Sequence, residues 1–330
     1  MDLKADEAVV ATNDDAALCK YQAVQKGYYS DTFIEKFLPH KVRATMQRKA
    51  PEINRGYYAR SASIGFIVEQ FIKNNPMAQV ISLGAGYDSL YWRLKECEEL
   101  NEYTKSLKYV EIDMNQVVLH KIMAIRRHND LSKHIKSLRL KGESLLSDNY
   151  NLITFDLRQV DKTPLGTKLF EDSHLDIDKP TLCLAECVLV YMPVHDSDSL
   201  LRWLSENFKK ISIINYEQCN MQDRFGEVML ANLNARHCDL MGVDACKSLE
   251  SQIERLERSG FSQTKAWTLL EIFNRCLLPG TIEKIKAIEF LDEGELLDQL
   301  LDHYCIAVGS NQQLDWIPDQ DYWSSQATKQ

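Results

Sequence analysis

Two glycines and one acid give the first hint of chemistry in this 330-residue chain. In Ala78–Leu94, AQVISLGAGYDSLYWRL, a strand-suited run (Val80–Leu83) leads straight into Gly84-Ala85-Gly86, and Asp88 opens what reads as a helix. Glycines at such a junction let backbone N–H groups approach a ligand where a Cβ would collide. Asp113 closes a second apolar run, LKYVEID. An acid there can accept hydrogen bonds from both hydroxyls of a ribose. The pair points to a nucleoside-type cofactor lying over the carboxyl ends of a parallel sheet.

The dinucleotide fingerprint asks for glycine at the first, third and sixth positions. Ser89 stands at the sixth, so the pyrophosphate cradle is incomplete. S-adenosylmethionine has adenine, ribose, a sulfonium and an amino-acid tail but no phosphate, and fits better than NAD. At this point a nicotinamide enzyme and a plain structural turn stay open.

Other positions have two readings each. Asp156-Leu157 ends the run NLITFDL. The acid or nearby backbone there would take an adenine amine, or Asp156 is simply a helix N-cap. Glu186 sits in the apolar stretch PTLCLAECVLVYMP, where a lone acid must be paired, protonated or at the sheet's open edge. At that edge it would receive the ammonium of an amino-acid tail, with a structural ion pair as the rival. Arg60, in NRGYYARSASIG, is of a type that clamps carboxylates, yet a surface arginine would look the same. Lys20, in DAALCKYQAV, equally suits a solvated helix face, and Tyr191, five residues after Glu186, suits a pocket or the core.

The elements that must position these residues alternate. Residues 1–75 read as mostly helical, with breaks at Gly27 and Pro39. Strands are expected at 79–83, 107–113, 150–156, 180–186 and 210–216, with helical spacing at Met114–His128 and Ser197–Lys209. From 217, QDRFGEVMLANLNARHCDL and KSLESQIERLERSG read as two helices, the second ended by Gly260, and strands follow at 264–270 and 302–308. Short strands alternating with helices predict an α/β fold with a doubly wound, seven-stranded, mostly parallel sheet. The division expected is an N-terminal helical cap (1–76), a cofactor-binding Rossmann-like core (77–216), a helical substrate-binding insert (217–263), and closing strands with a tail (264–330).

Composition bounds the setting. Lys plus Arg at 39 against Asp plus Glu at 48 give a net charge of -9, and no basic run builds a stripe for phosphate backbones, so nucleic acid is not the expected partner. The nine cysteines are scattered without a CxxC pair, the eight histidines show no ligand spacing, and no metal is expected. The acidic N-terminus lacks a signal-peptide pattern, and no 18-residue apolar segment occurs to span a membrane. The expectation is a cytoplasmic, monomeric protein of a reducing compartment, its cysteines serving as small apolar residues.

Seven blocks then narrow the reading. LCKYQAV, KAPEINRGYYAR, SLGAGYDSLYWRLK, AECVLVYMP, INYEQCNMQDRFGEVM, CKSLESQ and EFLDEGELLDQLLDHYC resemble the leucine carboxyl methyltransferase family, over roughly residues 14–310. That family methylates the C-terminal leucine of the protein phosphatase 2A catalytic subunit. The resemblance implies S-adenosylmethionine as cofactor, with Lys20 and Arg60 on its carboxylate and Gly84 and Gly86 along its tail. It implies Asp113 on the ribose, Asp156 and Leu157 at the adenine, and Glu186 on the ammonium side. It also implies a substrate pocket between the N-terminal helices and the insert, where Tyr191, Asn215, Tyr216 and Arg224 fall in matching blocks. Tyr191 is expected to position the acceptor carboxylate. The tail from about Asn311 matches nothing in the family.

Such an acceptor, with a pKa of about 3.5, is ionised at neutral pH and needs no general base. An apolar pocket for one leucine discriminates by only about 1–3 kcal/mol per group, so selectivity must involve the folded partner. Two other readings stay open: a cofactor-binding chaperone of the phosphatase without turnover, and carboxyl methylation of a modified transfer-RNA base.

Overall fold

The protein is described by a computed structural model covering residues 3–276 and 279–317. The tail beyond 317 lies outside the described residues. Its beginning does not hang free: Leu314, Trp316 and Ile317 are buried, and the Trp316 ring meets Phe71 edge-on at 5.1 Å.

One sheet organises the chain. Its strands are β1 (Gln79–Leu83), β2 (Lys108–Asp113), β3 (Arg139–Lys141), β4 (Ser144–Leu146), β5 (Tyr150–Thr154), β6 (Thr181–Glu186), β7 (Ile211–Gln218), β8 (Gln263–Thr268) and β9 (Tyr304–Ser310). They lie in the order β3-β4-β5-β2-β1-β6-β7-β9-β8. The central five are parallel, β9 runs antiparallel to β7, and β8 runs antiparallel to β9. Both faces are covered, which is why the central strands read as nearly unbroken apolar runs.

The expected seven strands are present within one or two residues at most ends, but the sheet has nine. The additional hairpin β3–β4 turns at Gly142 (φ +58°). Its strands are three residues long and β3 is wholly exposed, so no apolar pattern announced it. A second difference matters more for function. β7 runs on through Glu217 and Gln218, beyond the expected end at 216, because β9 pairs with it to the Gln218–Tyr304 register.

The main helices are α1 (Leu3–Gln25), α2 (Pro51–Asn74), α3 (Leu90–Glu96), α4 (Asn115–Arg127), α5 (Val194–Asn207), α6 (Arg224–Asn234), α7 (Leu249–Arg258) and α8 (Gly294–Asp302). Proline at the first position of α2 and the Ser248–Ser251 capping box of α7 satisfy start signals. Gly260 follows α7 with φ +98°. Side chains alternate along the strands. Val80 and Tyr109 therefore face a core shared with α2 and α3. Ile81, Leu83, Val110 and Ile112 face the opposite one, shared with α5 and α7.

The glycine-bearing loop after β1 is fixed from behind by a buried ion pair. Lys121 of α4 and Glu111 of β2 are both wholly buried, with Nζ 2.5 Å from Oε2. The same ammonium donates to the Asp88 carbonyl oxygen at 2.8 Å, and the Tyr150 hydroxyl donates to Glu111 Oε2 at 2.8 Å. Burial pushes the Glu111 carboxyl up to about 7, against the pull of Lys121. Lys121→Met, which strands the acid, should cost about 3–5 kcal/mol in urea unfolding. The pair variant Lys121→Met with Glu111→Leu should regain most of that loss. Equal stability of the single variant and the wild type would contradict this account of the loop.

Candidate functional site

The loop after β1 bends through two left-handed glycines, Gly84 and Gly86, each at φ +53°. A Cβ on Gly84 would lie 2.8 Å from Val188 Cγ2, and one on Gly86 would overlap the Asn13 side chain. Asp113, at the end of the neighbouring strand β2, ties the loop down. Its Oδ2 accepts the Gly86 N–H at 2.7 Å and its Oδ1 accepts the Met114 N–H at 2.7 Å. Burial raises this carboxyl, while the two backbone donors oppose the rise. Each oxygen still has a lone pair for a second donor.

Two cavities open at this loop. The larger, about 450 Å³, runs past Gly84–Asp88, Lys20, Arg60, Glu186, Tyr191 and Gln218. A narrower one of about 90 Å³ shares Gly84, Cys187 and Tyr191 and reaches Asp113, Phe155, Asp156 and Leu157. Residues 8–17 of α1 line much of the larger cavity on its other side.

At the floor of the larger cavity four charges alternate. Arg60 Nε and Nη2 both lie 2.7 Å from Glu186 Oε2, and Lys20 Nζ is 3.3 Å from the same oxygen. Lys20 also donates to Asp88 Oδ1 at 2.9 Å. Burial works against the Lys20 charge, but Asp88 and Glu186 outweigh it and hold the ammonium above its usual range. Burial likewise opposes the Asp88 charge, yet Lys20, then Arg93 and Lys121, hold that carboxyl well below the carboxylate range. Glu186 Oε1 and Arg60 Nη1 have no hydrogen-bond partner among the described residues. Arg60 also lies over the Tyr216 ring at 4.7 Å.

At the other end, Asp156 is committed. It caps the following turn through the Arg158 N–H at 3.0 Å, and Arg158 grips both of its oxygens, Nε at 2.9 Å and Nη2 at 3.0 Å. Arg158 then reaches Asp6 of α1 at 2.7 Å. The N-cap reading of Asp156 therefore holds, and the backbone and Leu157 are what remain to meet a ligand there.

A third cavity, about 280 Å³, adjoins the first. Cys19, Ile53, Leu269, Leu300 and Leu301 give it an apolar side, Lys49 lines it as well, and Tyr57, Arg60 and Tyr304 belong to both. Arg236 and Asp15 pair across the junction.

The structure thus gathers Lys20, Arg60, Gly84, Gly86, Asp113, Asp156, Leu157, Glu186 and Tyr191 around one connected space, with Tyr216 at the third cavity. It does not bring in Asn215 or Arg224. Asn215 points to the opposite face of β7, donating to Gln252 Oε1 at 3.3 Å. Arg224 is exposed and pairs with Glu227 at 2.8 Å. Sequence reading missed Tyr57, Gln218 and Tyr304. Tyr57 was visible as the residue one turn before Arg60. Gln218 would have followed from period-two alternation with Tyr216, had the strand been extended.

Residues 8–205 match the family model of leucine carboxyl methyltransferase. Leucine carboxyl methyltransferase 1 of Bos taurus is 42% identical over 308 residues, covering 91% of this chain and 89% of that protein. Its namesake from Caenorhabditis elegans is 40% identical over 309 residues, covering 91% and 90%. A solved Streptomyces avermitilis protein of the DUF574 family is similar in fold, with TM-score 0.51 and 11% identity, over 89% of this chain and 96% of that one.

On the far face of β7, beside Asn215, Glu217 is fully buried and neither of its oxygens has a hydrogen-bond partner among the described residues. Burial pushes its carboxyl up to about 8, against the Arg255 guanidinium. An unfolded glutamate titrates at about 4.3. Over the interval between these values the folded state holds a proton that the unfolded state has released. This contribution to stability is therefore complete below the unfolded value and is lost as pH rises through the folded one. Glu217→Gln should flatten the fall in Tm between pH 6 and pH 8.5. An unchanged slope in scanning calorimetry would refute the assignment.

Proposed function

The chain belongs to the leucine carboxyl methyltransferase family and is a carboxyl O-methyltransferase, and we propose that its donor is S-adenosylmethionine and its acceptor the C-terminal leucine of the protein phosphatase 2A catalytic subunit. One observation carries this reading: a charge-lined cavity beside a glycine loop meets an apolar side cavity at Arg60 and Tyr304. A zwitterion-bearing nucleoside suits the first, and a leucine side chain suits the second.

The residues fit that donor. Glu186 Oε1 is open to an ammonium, while Arg60 Nη1 and the remaining Lys20 N–H are open to a carboxylate. Asp113 keeps a lone pair on each oxygen for the ribose hydroxyls. Phe155 and Leu157 offer apolar surface for an adenine. When bound, S-adenosylmethionine supplies a methyl carbon on a cationic sulfur, which a carboxylate oxygen attacks as a neutral thioether departs.

The remaining work belongs to the protein. Because the acceptor is already an anion, no side chain has to remove a proton. Opposite charges cancel during transfer, so water, which solvates both, opposes the reaction. Residues 8–17 of α1 and the 188–192 turn enclose the meeting point and exclude it. Tyr191, on that turn, borders both parts of the nucleoside space, and its phenol is kept protonated by burial. It is placed to orient an acceptor oxygen without neutralising it, which spares the oxygen's nucleophilicity. The N-terminal helices and the insert between β7 and β8, whose α6 lines the cavity through Met229, Asn232 and Leu233 and leaves Val228 half-exposed, are the surfaces assigned to the folded partner.

Labelled-cofactor transfer tests this directly. Intact phosphatase 2A catalytic subunit should be labelled, and the same subunit lacking its last leucine should not. A peptide of its tail should have a far lower kcat/KM than the intact subunit. Label on the truncated subunit, or on bulk transfer RNA instead, would overturn the reading, as would tight binding of the phosphatase with no transfer.

A further inference from the structure

The acceptor carboxylate assigned above needs a partner for its second oxygen, and the groups at the junction of the two cavities differ in how far they are already committed. Arg60 is paired with Glu186 through Nε and Nη2, and its open Nη1 is the one assigned to the donor's carboxylate. Arg236 is taken up by Asp15. The Tyr57 phenol lies near the Cys19 thiol and draws its pKa down against burial. Tyr304 is different. It opens β9 opposite Gln218 of β7 in the antiparallel register, and its ring lies flat on Tyr216, with centroids 5.4 Å apart and planes 8° from parallel. It borders both cavities, and the nearby Gln218 side chain draws its pKa down against burial without a hydrogen bond of ordinary geometry between them, so its proton is left to donate into that space. No described residue takes that proton. Gln218 is itself buried, and its Oε1 has no partner among the described residues. Burial also holds the Tyr304 phenol above its ordinary range, so it stays protonated.

We propose that Tyr304 is a catalytic residue whose hydroxyl, steadied by Gln218, donates a hydrogen bond to the acceptor carboxylate oxygen that is not methylated. Tyr191 stands on the nucleoside side and Tyr304 on the side of the apolar cavity. A carboxylate between them presents one oxygen to the donor and rests the other on Tyr304. A neutral phenol on the non-reacting oxygen fixes orientation at little cost to the attacking one, where a cation would hold the ground state too firmly. No proton changes hands: Tyr304 keeps its own, and charge is lost only by joining acceptor anion to donor cation. Gln218 acts through Tyr304 and is a positioning residue.

The test uses the full chain, labelled S-adenosylmethionine and intact phosphatase 2A catalytic subunit. Tyr304→Phe should lower kcat/KM by about 10- to 100-fold, as for a lost hydrogen bond to a charged group. Its Kd for S-adenosylhomocysteine should stay within about twofold of wild type, because the donor's own contacts are intact. Gln218→Met should lose less, and the double variant should be no worse than Tyr304→Phe alone. Leucine-ended peptides, as free acid or amide, then compete for the site. Wild type should prefer the acid, and Tyr304→Phe should lose most of that preference, which a merely structural role would not alter. Full kcat/KM in Tyr304→Phe, or equal weakening of acid and amide, overturns the proposal. A wild type that labels no C-terminal carboxylate overturns the functional reading beneath it.

Discussion

Four buried charges that cannot leave one another underlie the rest of this structure. Lys20 comes from the first helix, Arg60 from the helix before the sheet, Asp88 from the loop after β1 and Glu186 from the end of β6. Taking ions out of water is costly unless each finds a partner. Here the two cations and two anions neutralise one another, which joins the N-terminal helices to the carboxyl edge of the sheet. The arrangement leaves Glu186 Oε1 and Arg60 Nη1 unbonded among the described residues. A molecule with its own adjacent positive and negative groups extends the alternation; a singly charged one would unbalance it.

That constraint explains the division of labour around the cavity. The glycine loop has to come close, so it is held from in front by Asp113 and from behind by Lys121. The first helix must cover the space, and besides Lys20 it is held there by ion pairs nearer the surface, Asp6 with the mostly buried Arg158 and Asp15 with the half-exposed Arg236. Exposed and half-exposed pairs contribute little to stability. Strong contacts therefore fix the floor and weak ones fix the cover, a combination suited to a site that must admit and release both donor and acceptor.

Much of this was legible in the residues, and the exceptions have physical causes. Parallel strands covered on both faces must be apolar throughout, so 79–83 and 180–186 were readable almost to the residue. The β3–β4 hairpin has an exposed strand and three-residue arms, and carries no such pattern. Asp113 was singled out as an acid ending a strand after a glycine loop, and the structure sets it against that loop. Lys20 and Arg60 were not readable from their own surroundings, since the partners that give them meaning lie far away in sequence; resemblance to a family supplied what local chemistry could not. Asn215 and Arg224 show the reverse, because a matching block contains residues on both faces of a strand and on the outside of a helix. Gln218 stayed hidden because it lies past the expected strand end, and Tyr304, though inside an expected strand, because nothing sets it opposite Gln218 until the pairing of β7 with β9 is known.

Calorimetric titration of wild type and Glu186→Gln with S-adenosylhomocysteine and, separately, with adenosine addresses the central claim most directly. Wild type should bind S-adenosylhomocysteine one to one, and Glu186→Gln should weaken it by about 10- to 100-fold while leaving adenosine, which has no amino-acid tail, unaffected. Absence of binding to wild type, or equal affinities of the two proteins for S-adenosylhomocysteine, would contradict the account.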